Sequence, residues 1–474
     1  MTTTRSGGIE DLRAAMAGPV TAPEDEGYDE ARRLWNAAID GRPAVIAQCT
    51  TADDVAAAIR HARTHGLEIA VRGGAHSFPG LSSVDSGLVI DLHRMNAVTV
   101  DPEDKRARVQ GGALNADVDA ATQEHGLAVT TGMVSHTGIA GLTLGGGMGW
   151  LTRLGGLGID NLVSAEVVVA DGRILRASED ENADLFWAIR GGGGNFGVVT
   201  EFEFRLFEAG PMVQFGLFFW DLEQGREALR LMREVIPELP RSMNGLPAVA
   251  LSAPLAPFVP VEHQGKPGYA LLLVGFGSDA EHQQVTERIR AALPPLFDVV
   301  TPMPYTALQQ LIDEPNAWGF YGYDKSGYFA DLTDDVIDVL VERAPHKTSP
   351  MSQLLFYRLD EAFSEAGEDD TAFSGGRSPR YAGFFIGMTP TAEMLAAERE
   401  WIRSVWQALR PHMLEAGTYI NAVDGADAQD PTRVQELFGS KYARLARVKA
   451  TYDPDNVFHR NVNISSGGIP VPRG

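Results

Sequence analysis

The sequence predicts an α+β protein of two domains, and three observations carry that reading. At 474 residues the chain is longer than one ordinary core supports. Its glycines crowd into clusters at 73–80, 111–112, 138–149, 155–158 and 191–197, all within the first 200 residues. From about residue 206 the texture changes to longer apolar strands alternating with long helices, as in a sheet covered by helices on one side.

Taken in order, "TTADDVAAAIRHARTHG" predicts a helix: Thr50 or Thr51 caps it, Asp53 and Asp54 suit its positive end, and Gly66 stops it. "LEIAV" predicts a strand that feeds the loop "RGGAHSFPG". Short strands follow at "LVIDL", "AVTVD" and "ARVQGG", then an amphipathic helix at "LNADVDAATQEHG". "SAEVVVADGRILRA" predicts a hairpin turning at Asp171-Gly172, and "VVTEFEFRLF" alternates as a half-buried strand. In the second part, strands are expected at "QFGLFFWDL", "YALLLVGFG", "QLLFYRL" and "YAGFFIGM". Helices are expected at "EQGREALRLMREVI" and "TAEMLAAEREWIRSVWQALRPHM", where Leu395, Ile402, Val405, Trp406 and Leu409 share one face. A helix and an Asp/Pro/Asn-rich loop close the chain.

Composition excludes several functions. With 40 basic and 63 acidic side chains the formal charge is −23, which argues against nucleic acid or an anionic membrane as partner. One cysteine, Cys49, permits neither an intrachain disulfide nor a cysteine zinc site. The 11 histidines are scattered without metal-ligand spacing, so no metal is expected. No stretch approaches a membrane span, and the acidic amino-terminal segment does not read as a signal peptide. A cytoplasmic protein is expected, and its oligomeric state is left open.

Gly192 to Gly197 form a GxGxxG string, but a helix precedes it and a strand follows, the reverse of a dinucleotide-binding turn. The loops at 73–80, 110–112, 131–149 and 191–197 point instead to a long, flat, phosphate-bearing ligand touched by backbone N–H groups. An adenine dinucleotide carrying a flavin fits that description.

The segments "VRGGAHSFPG", "TTGMVSHTGIAGLTLGGGMGWLTRLGGLGIDNLVSAEVVVADGRIL", "DLFWAIRGGGGNFGVVTEFEF" and "YDPDNVFHRNVNI" resemble, in order, the berberine bridge enzyme-like FAD-linked oxidases. That family belongs to the vanillyl-alcohol oxidase (PCMH-type) FAD-binding superfamily. The resemblance implies a two-lobed PCMH-type FAD-binding domain from residues 1–205 and 428–474. It also implies a substrate domain, an antiparallel sheet covered by helices, from 206–427. His76 matches the histidine bonded covalently to the flavin 8-methyl carbon. Arg72, Gly73, Gly74, Ala75, Ser77 and Gly80 match the pyrophosphate loop, and Thr131, Gly132, Ser135, His136, Thr137, Gly138 and Gly141 a segment beside the isoalloxazine. Gly145, Gly146, Gly147 and Gly149 match the turn after it, Val198 and Val199 a strand approaching the cofactor, and Asn461 and Asn463 a tail motif.

Two departures matter. Many relatives hold FAD through a second, cysteinyl bond, but Val134 stands at that position, so a single covalent link is expected. Leu437 stands where plant members place a catalytic tyrosine; Tyr419 and Asn421 match a Tyr-x-Asn segment that the family places near the flavin, and with Tyr442, another nearby tyrosine, they are the catalytic candidates. Gln353, Tyr357 and Tyr381 are substrate candidates on the expected strands. The expected activity is hydride transfer from a small or medium organic molecule (an alcohol, amine or secondary metabolite) to FAD, then to O2. A dehydrogenase with another acceptor and a flavin-bearing metabolite-binding or resistance protein are the alternatives.

Overall fold

The computed structural model describes residues 3–415 and 418–467, so residues 468–474 of the segment assigned to the cofactor lobe lie outside the described residues. Among the described residues, three larger sheets and one two-stranded sheet organise the chain. In the first, Val45–Gln48, Leu88–Asp91 and Ile69–Arg72 pair in parallel, with Val20–Thr21 antiparallel at the edge. The helix Ala52–His65 connects two of these strands. Thr51 caps it by accepting the Asp54 N–H at 3.1 Å, and Gly66 ends it at φ 64°, as the sequence predicts. Buried parallel strands read as continuous apolar runs. The carboxyl end of Ile69–Arg72 opens straight into residues 73–80, the edge at which open α/β sheets bind ligands.

The second sheet is antiparallel, in the order 98–101, 106–110, 198–205, 162–168, 174–178. Its hairpin turns at Gly172, where φ is 84°. Phe202, Phe204, Val167 and Ala165 pack with Phe186, Trp187, Phe438 and Leu445, which brings the carboxy-terminal helices Pro431–Phe438 and Tyr442–Tyr452 onto this lobe.

The third sheet has seven antiparallel strands in the order 297–304, 212–220, 267–275, 243–252, 353–359, 380–389, 321–329. Helices Gly225–Val235, Asp279–Ala292, Asp334–Arg343 and Ala392–Leu409 cover one face, where Phe218, Trp220, Leu354, Phe356, Tyr381 and Phe385 meet Leu229, Ile289, Ile337 and Ile402. The alternate residues, Phe215, Leu217, Phe219 and Leu355, face Met133 and Trp150 of the first lobe. Strands of period two thus bury both faces, one against helices and one against the other lobe.

Three of these strands escape the sequence pattern. Met243–Ser252 contains Pro247, Phe297–Pro304 is an edge strand with two prolines, and Tyr321–Phe329 mixes Asp324, Lys325 and two glycines. The two lobes are tied by buried ion pairs. Arg153 Nε donates to Asp360 at 2.5 Å, and Arg377 grips Asp160 through two bonds of 2.7 and 2.8 Å. Phe207–Glu208 pairs with Leu127–Ala128, so these two residues lie beside the first lobe. Among the described residues no helix is long and apolar enough to cross a membrane.

Candidate active site

A cavity of about 300 Å³ opens where the strand Ile69–Arg72 ends. Segments 73–77, 137–142, 193–199, 419–423 and 458–462 line it, so loops far apart in sequence converge there. Among the described residues, Arg460 is the one lining residue with a fixed charge, and no carboxylate lines the cavity.

The loop after the strand is built to face an anion. Ala75 takes the left-handed conformation at φ 59°. Among the described residues, the backbone N–H groups of residues 74–77 have no acceptor. Successive free N–H groups around a left-handed residue form an anion-binding concavity. The loop lies hard against Gly138: a Cβ on Gly74 would meet the Gly138 nitrogen at 2.2 Å, so glycine is required. A Cβ on Gly141, by contrast, would meet no protein atom within 4 Å and Gly141 lines the cavity.

His76 is locked in place. Its ring stacks on Trp35 at 4.7 Å between centroids and 18° between planes. Nε2 lies 2.7 Å from Nδ1 of His136, and Nδ1 lies 3.4 Å from Thr137 Oγ1. Desolvation, with the neighbouring His136 second, lowers its pKa to about 3, so the imidazole is neutral at pH 7. A neutral imidazole keeps a lone pair and is a nucleophile.

Of the residues singled out from the sequence, Gly73, Gly74, Ala75, His76 and Ser77 line the cavity. So do Thr137, Gly138, Gly141, Val198 and Val199, and from the later chain Tyr419, Asn421 and Asn461. Others lie elsewhere. Arg72 does not reach the cavity; its guanidinium pairs with buried Asp91, which also accepts from His93 at 2.8 Å. Gly80 packs against Ile39. The Thr131 hydroxyl and the Gly132 carbonyl accept from Gln309 at 2.8 and 3.0 Å, and Ser135 donates to Asp313 through N and Oγ. His136 touches His76 rather than the cavity.

Gly145 packs under Asn421, Gly146 near Phe373, Gly147 beside Gly158, and Gly149 on the Thr131 carbonyl, so this turn supports the wall rather than forming it. The Asn463 N–H donates to the Ala428 carbonyl, outside the lining. Tyr442 is corrected as a catalytic candidate: its hydroxyl meets the Ser465 carbonyl at 3.3 Å and its ring packs on the first lobe's core. Tyr381 is corrected as a substrate candidate, because it is fully buried on the helix-covered face of the sheet. Gln353 and Tyr357 lie on the opposite face, where Tyr357 meets Phe384 edge-on at 5.2 Å.

Phe384 in turn meets Tyr419 at 5.7 Å. The Tyr419 oxygen accepts the Gly147 N–H and the Asn421 amide, each at 3.1 Å. Asn421 is itself held by the Gly141 carbonyl at 3.1 Å. Both acceptor directions of the phenol are filled by donors, which leaves its own proton available. Burial raises its pKa to about 12 against the lowering effect of those two bonds, so Tyr419 is protonated at neutral pH.

Sequence reasoning missed the clamp that brings the tail to the site. Lys449 Nζ donates to the Asn195 carbonyl, to Asp453 and to the Phe458 carbonyl at 2.7 to 2.9 Å. The Asn195 side chain bonds Val462 and Ile464 backbone at 2.9 Å. The run "GGGGN" was the available signal, since an asparagine ending a glycine string suits side-chain-to-backbone bonding. Ser82 Oγ and Asn461 Oδ1, both in lining residues, are buried without a partner among the described residues.

A family model described as "FAD binding domain" matches residues 43–178, and one described as "Berberine and berberine like" matches residues 418–465. The FAD-linked oxidoreductase pgmH of Aspergillus terreus is 30% identical over 489 residues, covering 95% of this chain and 94% of its own. (R)-6-hydroxynicotine oxidase of Paenarthrobacter nicotinovorans is 29% identical over 471 residues, covering 96% and 98%. The crystal structure of 6-hydroxy-D-nicotine oxidase from Arthrobacter nicotinovorans superposes with a TM-score of 0.82 at 26% identity, covering 95% of this chain and 98% of that one. Glucooligosaccharide oxidase from Acremonium strictum, which carries a 6-S-cysteinyl, 8α-N1-histidyl FAD, shares the fold with a TM-score of 0.83 at 24% identity, covering 97% and 99%. With the full-length match and the FAD-binding segment in register with the cavity, the chain belongs to the berberine bridge enzyme-like family of FAD-linked oxidoreductases.

Proposed function

We propose that the chain oxidises a small or medium-sized organic substrate at an FAD held by one covalent bond from His76, and that dioxygen takes up the electrons. The observation that carries the reading is one loop that offers four free backbone N–H groups and a neutral, stacked histidine to a cavity without carboxylates. That donor set fits a diphosphate joined to a flat ring system. The partnerless Ser82 Oγ and Asn461 Oδ1 and the open space over Gly141 fit it as well. Residues 73–77 would hold the diphosphate, and residues 137–141 and 197–199 would flank the ring. Residues 1–205 with 428–474 would form the cofactor lobe, and 206–427 the substrate domain.

When bound, FAD supplies the hydride acceptor and, once reduced, the electron donor to dioxygen. Tyr419, fixed by Gly147 and Asn421, offers its hydroxyl proton to a substrate heteroatom and aligns the bond to be broken. Tyr357 and Gln353 would contact substrate from the sheet. Leu437 supplies no base where plant relatives carry a tyrosine, which favours a substrate, such as an amine, that loses hydride without prior deprotonation. Val134 offers no second tether, and Cys49 is buried in another core, outside the lining of the cavity. Thr137, at the wall beside His76, would leave room for dioxygen. The single free cysteine suits the cytoplasm, where we place the enzyme.

The test is a substrate panel read by hydrogen peroxide release, followed by anaerobic reduction and mixing with air. Peroxide formation and reoxidation within seconds are expected. Reoxidation over many minutes would mark a dehydrogenase, and tight binding without turnover of any compound would mark a binding protein.

A further inference from the structure

We propose that His136 is the positioning residue for the covalent bond at His76: it holds the Nε2 side of the ring and takes up its proton as Nδ1 bonds to the flavin. The inference rests on the reading that His76 is the tether.

The two nitrogens of His76 have different surroundings. Nε2 faces His136 at 2.7 Å, whereas Nδ1 lies beside Thr137, and Thr137 lines the cavity while His136 does not. A 180° turn of the ring would keep its stack on Trp35 but put carbons where the two nitrogens stand, giving up the contact with His136. Bond formation at Nδ1 needs a lone pair there, which places the ring proton on Nε2. His136 Nδ1 is the acceptor within hydrogen-bond distance of that proton.

Attack by Nδ1 with the Nε2 proton retained would leave an alkylated imidazolium. The desolvation that holds His76 neutral opposes that cation. Passing the proton to His136 moves the charge toward Asp313, whose carboxylate sits on Ser135 next in the chain and offsets part of the desolvation that lowers the His136 pKa. The unpartnered, buried Nε2 of His136 shows that this ring is not held by another structural hydrogen bond among the described residues.

In the bond-forming step one N–H of His76 and one C–H of the flavin 8-methyl group are lost, and the N–C bond forms. The electron pair and both protons pass to dioxygen, giving hydrogen peroxide, with the His76 proton leaving by way of His136.

The test uses the full chain made in flavin-starved cells, mixed with FAD in air and acid-quenched over time, with acid-stable flavin read by intact mass. His136→Gln keeps an acceptor oxygen but cannot take up the proton, and His136→Leu fills the space with neither. Relative to wild type, covalent incorporation is expected to slow about 10-fold or more in the glutamine variant and about 100-fold or more in the leucine variant. Acid-released FAD should show that both still bind the cofactor. Equal rates for wild type and glutamine, or for glutamine and leucine, overturn the proposal, and the first comparison stands if the leucine variant does not fold. If wild type itself releases all its flavin into acid, the tether reading fails, and this inference with it.

Discussion

At the residue scale, burial keeps the side chains of His76 and Tyr419 neutral. It pushes His76 down to about 3, where the ring is a nucleophile, and Tyr419 up to about 12, where the phenol is a donor. Desolvation is the largest cause of both shifts, with His136 adding to it at His76. Replacing Tyr419 with phenylalanine removes the donor and strands the Gly147 N–H, while the Asn421 amide keeps the Gly141 carbonyl. We expect kcat to fall roughly 10- to 100-fold, with FAD content and folding retained; unchanged kcat on a turned-over substrate would remove Tyr419 from the reaction. That residues 73–77 would border a cavity was legible because clustered glycines let backbone come close to a ligand, whereas the part given to His76 came from the family resemblance. Tyr381 was not: period two identifies two faces of a strand without telling which one the helices cover. Arg72 failed for a related reason, since a buried Asp91 across the parallel pair claims its charge.

At the scale of elements, the wall beside the cavity depends on buried polar contacts between segments. Helix Asn115–Gln123 meets helix Tyr305–Gln309 through Asp119, which accepts from Gln309 at 2.9 Å while Gln309 also holds Thr131. Desolvation raises the Asp119 pKa to about 7, above its unfolded value. Its contribution to stability is therefore fully present below about pH 4 and is lost as pH rises through about 7. Asp119→Asn should remove that loss, so the variant's stability relative to wild type should grow by roughly 3–4 kcal/mol between pH 4 and pH 8 in urea unfolding. Parallel pH profiles would contradict the assignment. The tail depends likewise on Lys449, fully buried with Asp453. Lys449→Met leaves that carboxylate unpaired and should cost about 3–5 kcal/mol, with weaker FAD retention. Helices with caps and hairpins with Asp-Gly turns were legible from local chemistry. The clamp was not, because Lys449 and Asn195 lie 254 residues apart.

Over the whole molecule, a seven-stranded sheet roofs a lobe whose loops converge on one cavity. The mixed helix-and-sheet fold was legible from its alternating elements, and the change in glycine density and strand length near residue 206 falls close to Met212, where the seven-stranded sheet begins. The three strands with prolines or charges were not, since their stability comes from neighbours in the sheet rather than from their own residues. The proposed covalent bond at His76 would join the cavity, the stacked histidine and the redox chemistry, and it can be read directly. Protein denatured in acid should stay yellow, its intact mass should exceed the sequence mass by one FAD, and the flavin peptide should contain His76. Flavin released entirely into the supernatant, or a flavin peptide lacking His76, would contradict it.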